Sequence, residues 1–255
     1  MFGVVPKVFW NKLTPADEAN RIELGLNCLL IKTEDNNILV DTGVGEKIDE
    51  KFGEIYKVDK SKDLIRSLED AGLSPENIDY VINTHLHFDH AGGNTRVKGE
   101  NIVPSFPDAE HVIQRGEWED ALNPNERTQA SYLKENLLPI QEAGLLQLVD
   151  GDTEILPGIK VIVTRGHTKN HQSVLIESQG KRALYLGDLI PTTAHIKVPY
   201  VMGYDLYPLE TIETKKEILD KAVQEQWLLI FEHDPKIGMG YLEKREGKFK
   251  LRPIS

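Results

Sequence analysis

The stretch His85-Leu86-His87-Phe88-Asp89-His90-Ala91-Gly92-Gly93 decides how this chain is read. It sets His85, His87, Asp89 and His90 within six residues, and imidazole with carboxylate is metal-ligand chemistry. On an extended backbone His85 and His87, two apart, project to the same side. Asp89 and His90 are adjacent and diverge, so they are not expected to serve one ion in the same way. The simplest arrangement is two neighbouring metals, His85 and His87 holding one, Asp89 and His90 helping to hold the other. The Ala-Gly-Gly that follows leaves backbone room for a tight turn beside the ions. A lone histidine is usually structural, but an ordered His-x-His-x-Asp-His cluster rarely is.

A dinuclear site needs more donors than this cluster supplies. Three candidates each follow an apolar run: His167 after 161–163, Asp188 after 184–186 and His233 after 228–231. Ligands at strand ends are held by rigid scaffold. A carboxylate can bridge two cations, so Asp188 is the natural bridge. The expected split is His85, His87, His167 and Asp188 on one metal, and Asp89, His90, His233 and Asp188 on the other.

The rest of the chain supplies the frame. Its 255 residues suffice for a sizeable core, and without a linker or low-complexity segment they read as one domain, 1–255. Acids outnumber bases 41 to 30, which argues against nucleic acid as a partner. The single cysteine, Cys28, excludes an intrachain disulfide and reads as a buried apolar residue. No apolar run approaches the ~20 residues that span a bilayer, and no signal peptide is evident, so a cytoplasmic protein without a membrane partner is expected. Strands are expected at 24–32, 38–40, 80–83, 110–114, 145–149, 159–163, 173–177, 182–186 and 227–231, with a final hairpin over 239–251. Helices are expected at 61–72, capped by Ser61, and at 115–122, 126–143 and 209–226. The aromatic stretch 192–207 reads as a loop. Strands and helices mix throughout, which points to an α/β sandwich. The apolar start, Phe2 to Trp10, would suit a homodimer contact.

The ordered set Asp41 (in Leu-Val-Asp-Thr-Gly), His85 to His90, His167, Asp188 and His233 resembles the five signatures of the metallo-β-lactamase-fold hydrolase superfamily, across nearly the whole chain. The resemblance implies a four-layered αββα sandwich with two mixed β-sheets, the metals at one edge, and Asp41 holding the metal loop rather than ligating. Asn-Thr-His-Leu-His-Phe-Asp-His-Ala-Gly-Gly and Gly-His-Thr-x-x-His-Gln-Ser look most like the lactonase and methyl parathion hydrolase group. That implies a small-molecule ester or lactone substrate, with phosphotriesters a second activity. Known N-acyl-homoserine lactonases carry a tyrosine three residues after the bridging aspartate; Pro191 stands there, with Tyr200, Tyr204 and Tyr207 in the following loop.

The expected cofactors are two divalent metal ions, zinc first, with iron, cobalt or manganese as alternatives. Their shared hydroxide would attack the ester carbon. Asp188 would bridge the ions, and Asp89 would accept the nucleophile's hydrogen bond. His195, in the loop after Asp188, is a candidate proton donor to the leaving alkoxide, weighed against a packing role. His171 reads as a hydrogen-bonded support, and His111 as structural. The rival activities are a hydroxyacylglutathione-type thioesterase and a mononuclear iron persulfide dioxygenase.

Overall fold

A computed structural model gives the fold of residues 1–254. The chain forms two compact units, one built from residues 28–150 and the other from residues 1–27 with 151 onward. Each owns one large sheet.

In the 28–150 unit, β1 (Leu29–Lys32) and β2 (Asn37–Val40) form an antiparallel hairpin. β3 (Tyr80–Ile82) lies parallel to β2. β4 (Thr95–Lys98) and β5 (Asn101–Pro104) make a separate two-stranded ribbon. β6 (Glu110–Gln114) and β7 (Leu146–Val149) extend the main sheet in parallel, in the order β1-β2-β3-β6-β7. Ile38, Leu39, Val40, Val81 and Ile82 are all buried, as expected of short apolar runs inside a parallel sheet. Val40 pairs with Ile82, so Asp41 and the Asn83-Thr84-His85 run leave the sheet side by side at one edge.

In the other unit the order is β14-β13-β12-β11-β10-β9-β8. The strands are β8 (Thr153–Leu156), β9 (Ile159–Val163), β10 (Gln172–Ser178), β11 (Lys181–Tyr185), β12 (Leu228–Ile230), β13 (Met239–Arg245) and β14 (Lys248–Pro253). Among the described residues of this sheet only β11 and β12 pair in parallel; their partners Tyr185 and Ile230 each stand three residues before a candidate ligand, Asp188 and His233. β9 is antiparallel to β10, and β10 to β11, so the C-terminal end of β9, which leads to His167, reaches the same edge. The helix Pro208–Gln224 buries Ile218, Leu219 and Ala222 in a cluster with Leu184, Leu186, Leu229 and Phe231. Each fully buried large apolar side chain there contributes about 1.5–3 kcal/mol of transfer free energy.

Local physics moves several expected boundaries. The first of the expected helices starts at Leu64, because Asp63 rather than Ser61 caps it, accepting from the amides of Ile65 and Arg66. The run 126–143 is not one helix. Asn125 folds the chain into a turn by accepting from Arg127, and Pro139, which cannot donate inside a helix, sits in the first turn of a short one, Leu138–Glu142. Only the second half of 24–32 is a strand; Gly25 and Asn27 instead donate backbone hydrogen bonds to His233 and Glu232. The helix Glu50–Tyr56, the β4–β5 ribbon and β8 are additional elements. Among the described residues no helix is long and apolar enough to cross a membrane.

Candidate metal centre

In the 28–150 unit, β3 delivers His85 directly from the sheet edge, and a short helix, Phe88–Ala91, carries Asp89 and His90. Asp41 organises the group. It takes a left-handed backbone, φ 56°, a conformation that Asp tolerates better than most residues. Its Oδ1 accepts from the Thr84 amide and its Oδ2 from the Thr84 hydroxyl, both at 2.7 Å. Oδ2 also lies 3.1 Å from His90 Nδ1. A carboxylate can only accept there, so His90 carries its proton on Nδ1 and presents the Nε2 lone pair. The Thr84 hydroxyl, having donated to Asp41, accepts from His85 Nδ1 at 3.1 Å, and His85 too presents Nε2. That Nε2 faces His87 Nδ1 at 3.0 Å. Two nitrogens on one tetrahedral zinc, each bonded at about 2.0–2.1 Å, stand roughly 3.3 Å apart, so this pair has the bite of a chelate.

Other groups steady the loop. Glu117, buried on the helix Arg115–Leu122, accepts from the amide of Leu86 at 3.1 Å and the hydroxyl of Tyr132 at 2.9 Å. The Tyr132 ring lies 5.0 Å from that of His87. Lys47 Nζ donates to the carbonyls of Gly92 and Thr95, and burial pulls its ammonium down to about 8. Gly92 and Gly93 are required for close approach rather than for a turn. Gly92 is right-handed, and a Cβ would stand 2.2 Å from Val44 O at Gly92 and 2.3 Å from Thr42 O at Gly93.

In the other unit, Asp188 lies between two imidazoles. Its Oδ2 is 3.1 Å from His167 Nε2 and its Oδ1 is 3.2 Å from His233 Nε2. The far nitrogen of each ring is set by an acceptor: His167 Nδ1 by Asp205 Oδ1 at 3.0 Å, His233 Nδ1 by the Gly25 carbonyl at 2.8 Å. Both histidines therefore present Nε2 to the same carboxylate, one to each oxygen. Each oxygen of Asp188 thus has its own imidazole neighbour. Imidazole and carboxylate donors of this kind suit zinc, iron, cobalt or manganese.

His195 lies elsewhere in this unit's packing. It is fully buried, its ring stacks on Phe2 at 4.5 Å, and its nitrogens bond Thr192 Oγ1 at 2.8 Å and the Met1 carbonyl at 3.1 Å. Burial depresses its pKa to about 3. These surroundings fit the packing role weighed for it and not proton delivery. Tyr204 and Tyr207 are exposed, and the Tyr200 ring stands edge-on to Phe2. The Pro191 carbonyl accepts from the His233 amide at 2.9 Å. Glu117 and Asp205 are supports that sequence reasoning missed. Glu117 sits in a helix with ordinary acids around it, and the only hint at Asp205 is a carboxylate inside the apolar run Val-Met-Gly-Tyr-Asp-Leu-Tyr.

Comparison with known proteins agrees with this chemistry. The model of the Metallo-beta-lactamase superfamily matches residues 22–233. An N-acyl homoserine lactonase of Bacillus cereus is 34% identical over 236 residues, 87% of this chain and 85% of that protein. A crystal structure of a probable metal-dependent hydrolase from Staphylococcus aureus is 36% identical, with a TM-score of 0.90, over 100% of this chain and 92% of that one. An N-acyl homoserine lactone hydrolase, solved with its product N-hexanoyl-L-homoserine at the catalytic metal centre, is 27% identical with a TM-score of 0.68, over 89% of this chain and 88% of that one. The mixed α/β architecture and the metal-donor chemistry are thus those of a family: this chain belongs to the metallo-β-lactamase superfamily, as a metal-dependent hydrolase acting on ester bonds.

Proposed function

We propose that the protein is a lactonase that opens N-acyl homoserine lactone rings, with two divalent ions, zinc first, ligated by His85, His87, Asp89, His90, His167, Asp188 and His233. The observation that carries this reading is Asp188, whose two oxygens each face a histidine Nε2, at 3.1 and 3.2 Å. The sequence relatives named N-acyl homoserine lactonase support the substrate class. When bound, the ions supply Lewis acidity and lower the pKa of water toward ~7, so that it attacks an ester carbonyl at neutral pH.

The chain's own residues would do the rest. Asp41, Asp205 and the Gly25 carbonyl fix the tautomers of His90, His167 and His233 before any ion arrives, so the donors need little reorganisation. Asp89, half-buried and one residue from His90, would accept the attacking water's hydrogen bond. Water adds across the ester, the ring C–O bond breaks, and a hydroxy acid leaves. Phe88 lies within the metal motif and packs with Phe52 at 4.7 Å and Tyr56 at 5.3 Å. This aromatic group would take an apolar acyl chain. With Pro191 in place of a phenol, the side chain at this position would donate no hydrogen bond to the substrate carbonyl.

A pH-stat screen of metal-replete protein tests the reading, with Asp188→Ala as control. The panel holds acyl-homoserine lactones, aliphatic lactones, a phosphotriester and a glutathione thioester. Lactone turnover that disappears in the variant is the expected result. Turnover confined to the phosphotriester or the thioester would replace the substrate class and keep the centre. Oxygen uptake by protein holding one iron would replace the hydrolytic reading.

A further inference from the structure

His171 is fully buried, four residues beyond His167, and is not among the proposed ligands. Its hydrogen bonds have determined directions. The backbone amide of Asp188 lies 3.1 Å from His171 Nε2, and an amide can only donate. Nε2 therefore accepts, and the ring proton sits on Nδ1. Nδ1 is 2.8 Å from Thr164 Oγ1, which must then accept. Thr164 can pass its own hydroxyl hydrogen to Ser173 Oγ, 2.8 Å away. Ser173 in turn donates to the Leu186 carbonyl at 3.1 Å. The circuit starts at the amide of Asp188 and closes two residues earlier on the same turn. Thr164 and Ser173 are as buried as His171, so water does not compete for these bonds. Between the circuit's two ends lies Gly187, held in the left-handed region at φ 52°.

We propose that His171, Thr164 and Ser173 form a positioning relay that fixes the Asp188 turn, and through it the aim of the bridging carboxylate. The proposal rests on Asp188 as a metal ligand. An ordinary buried polar cluster would stabilise the fold without touching metal affinity. The relay couples the two, because the group it holds at one end is the backbone of the bridge. It also fixes His171 as the Nδ1–H tautomer before metal binds, since no participant can reverse its role while Asp188 N–H points at Nε2.

Two measurements test this on the 255-residue chain. The first is long-range proton–nitrogen NMR of uniformly nitrogen-15-labelled, metal-free protein, assigned with His171→Gln. His171 is expected as the Nδ1–H tautomer, unchanged on zinc addition; an Nε2–H tautomer or a ring that exchanges between tautomers overturns the relay. The second compares Thr164→Val with Thr164→Ser by zinc titration against a chelator. Valine, which neither accepts nor donates, should weaken zinc binding by roughly 10-fold or more, within the range for groups that orient ligands, while serine restores it. Valine that binds zinc as tightly as the unaltered chain overturns the link to the bridge. If the unaltered chain itself binds no zinc, the ligand reading fails, while the tautomer result stands or falls on its own.

Discussion

At the scale of single residues, the donors owe their readiness to the groups behind them. Each of His90, His167 and His233 keeps a proton on Nδ1 because an oxygen waits there: Asp41, Asp205 and the Gly25 carbonyl. Asp205→Ala should therefore weaken binding of the ion that His167 is proposed to ligate by about 10–100-fold, as measured by chelator competition, whereas Asp205→Asn, which keeps an acceptor, should lose less. The same residues show what one sequence can and cannot reveal. His85, His87, Asp89 and His90 are adjacent in the chain and legible as a cluster. His167, Asp188 and His233 are legible because each follows an apolar strand. Asp205 has no such marker. It meets His167 across a separation of 38 residues, through a loop with no periodicity, so only three dimensions reveal it.

At the scale of elements, strands are legible where burial on both faces leaves an unbroken apolar run, as in Ile38-Leu39-Val40. Elements that rest on polar contacts leave no such run. The β4–β5 ribbon carries exposed Lys98 and Asn101 beside its turn, and the helical spacing of 126–143 is broken by the Asn125 turn and by Pro139. The 192–207 loop is irregular yet firmly held. Lys215, on the helix Pro208–Gln224, is fully buried, and its Nζ donates to the carbonyls of His195 at 2.6 Å, Lys197 at 3.1 Å and Tyr200 at 2.7 Å. Burial pulls the pKa of its ammonium down to about 7, while the negative charge of Asp205 works the other way. Lys215→Met keeps the bulk and leaves those carbonyls without a donor. It should cost about 1–3 kcal/mol in urea unfolding, with the earliest gain in amide exchange over 195–200. Unchanged stability would show that the loop is held by its aromatic contacts instead.

At the scale of the whole molecule, the acid limb of stability is set in part by histidines the fold refuses to protonate. His111, the second residue of β6, is fully buried, neither ring nitrogen has a hydrogen-bond partner among the described residues, and burial depresses its pKa to about 3. An unfolded histidine titrates near 6.5. Above that value both states are neutral and the group contributes no pH dependence. As pH falls below it, the unfolded chain gains a proton that the folded chain rejects, so stability declines until about pH 3. His111→Leu should flatten this limb by roughly 2–3 kcal/mol at pH 4.5 relative to pH 7.5, measured by urea unfolding of metal-free protein. Each compact unit has its own sheet and its own preset histidines, His90 in one and His167 in the other. The most direct test is the number of ions bound per chain at equilibrium, by elemental analysis of zinc-saturated protein beside Asp188→Ala. Two ions per unaltered chain, with the variant failing to retain both, is the predicted result. A single ion in the unaltered chain, or two held equally well without Asp188, would contradict a centre bridged by that carboxylate.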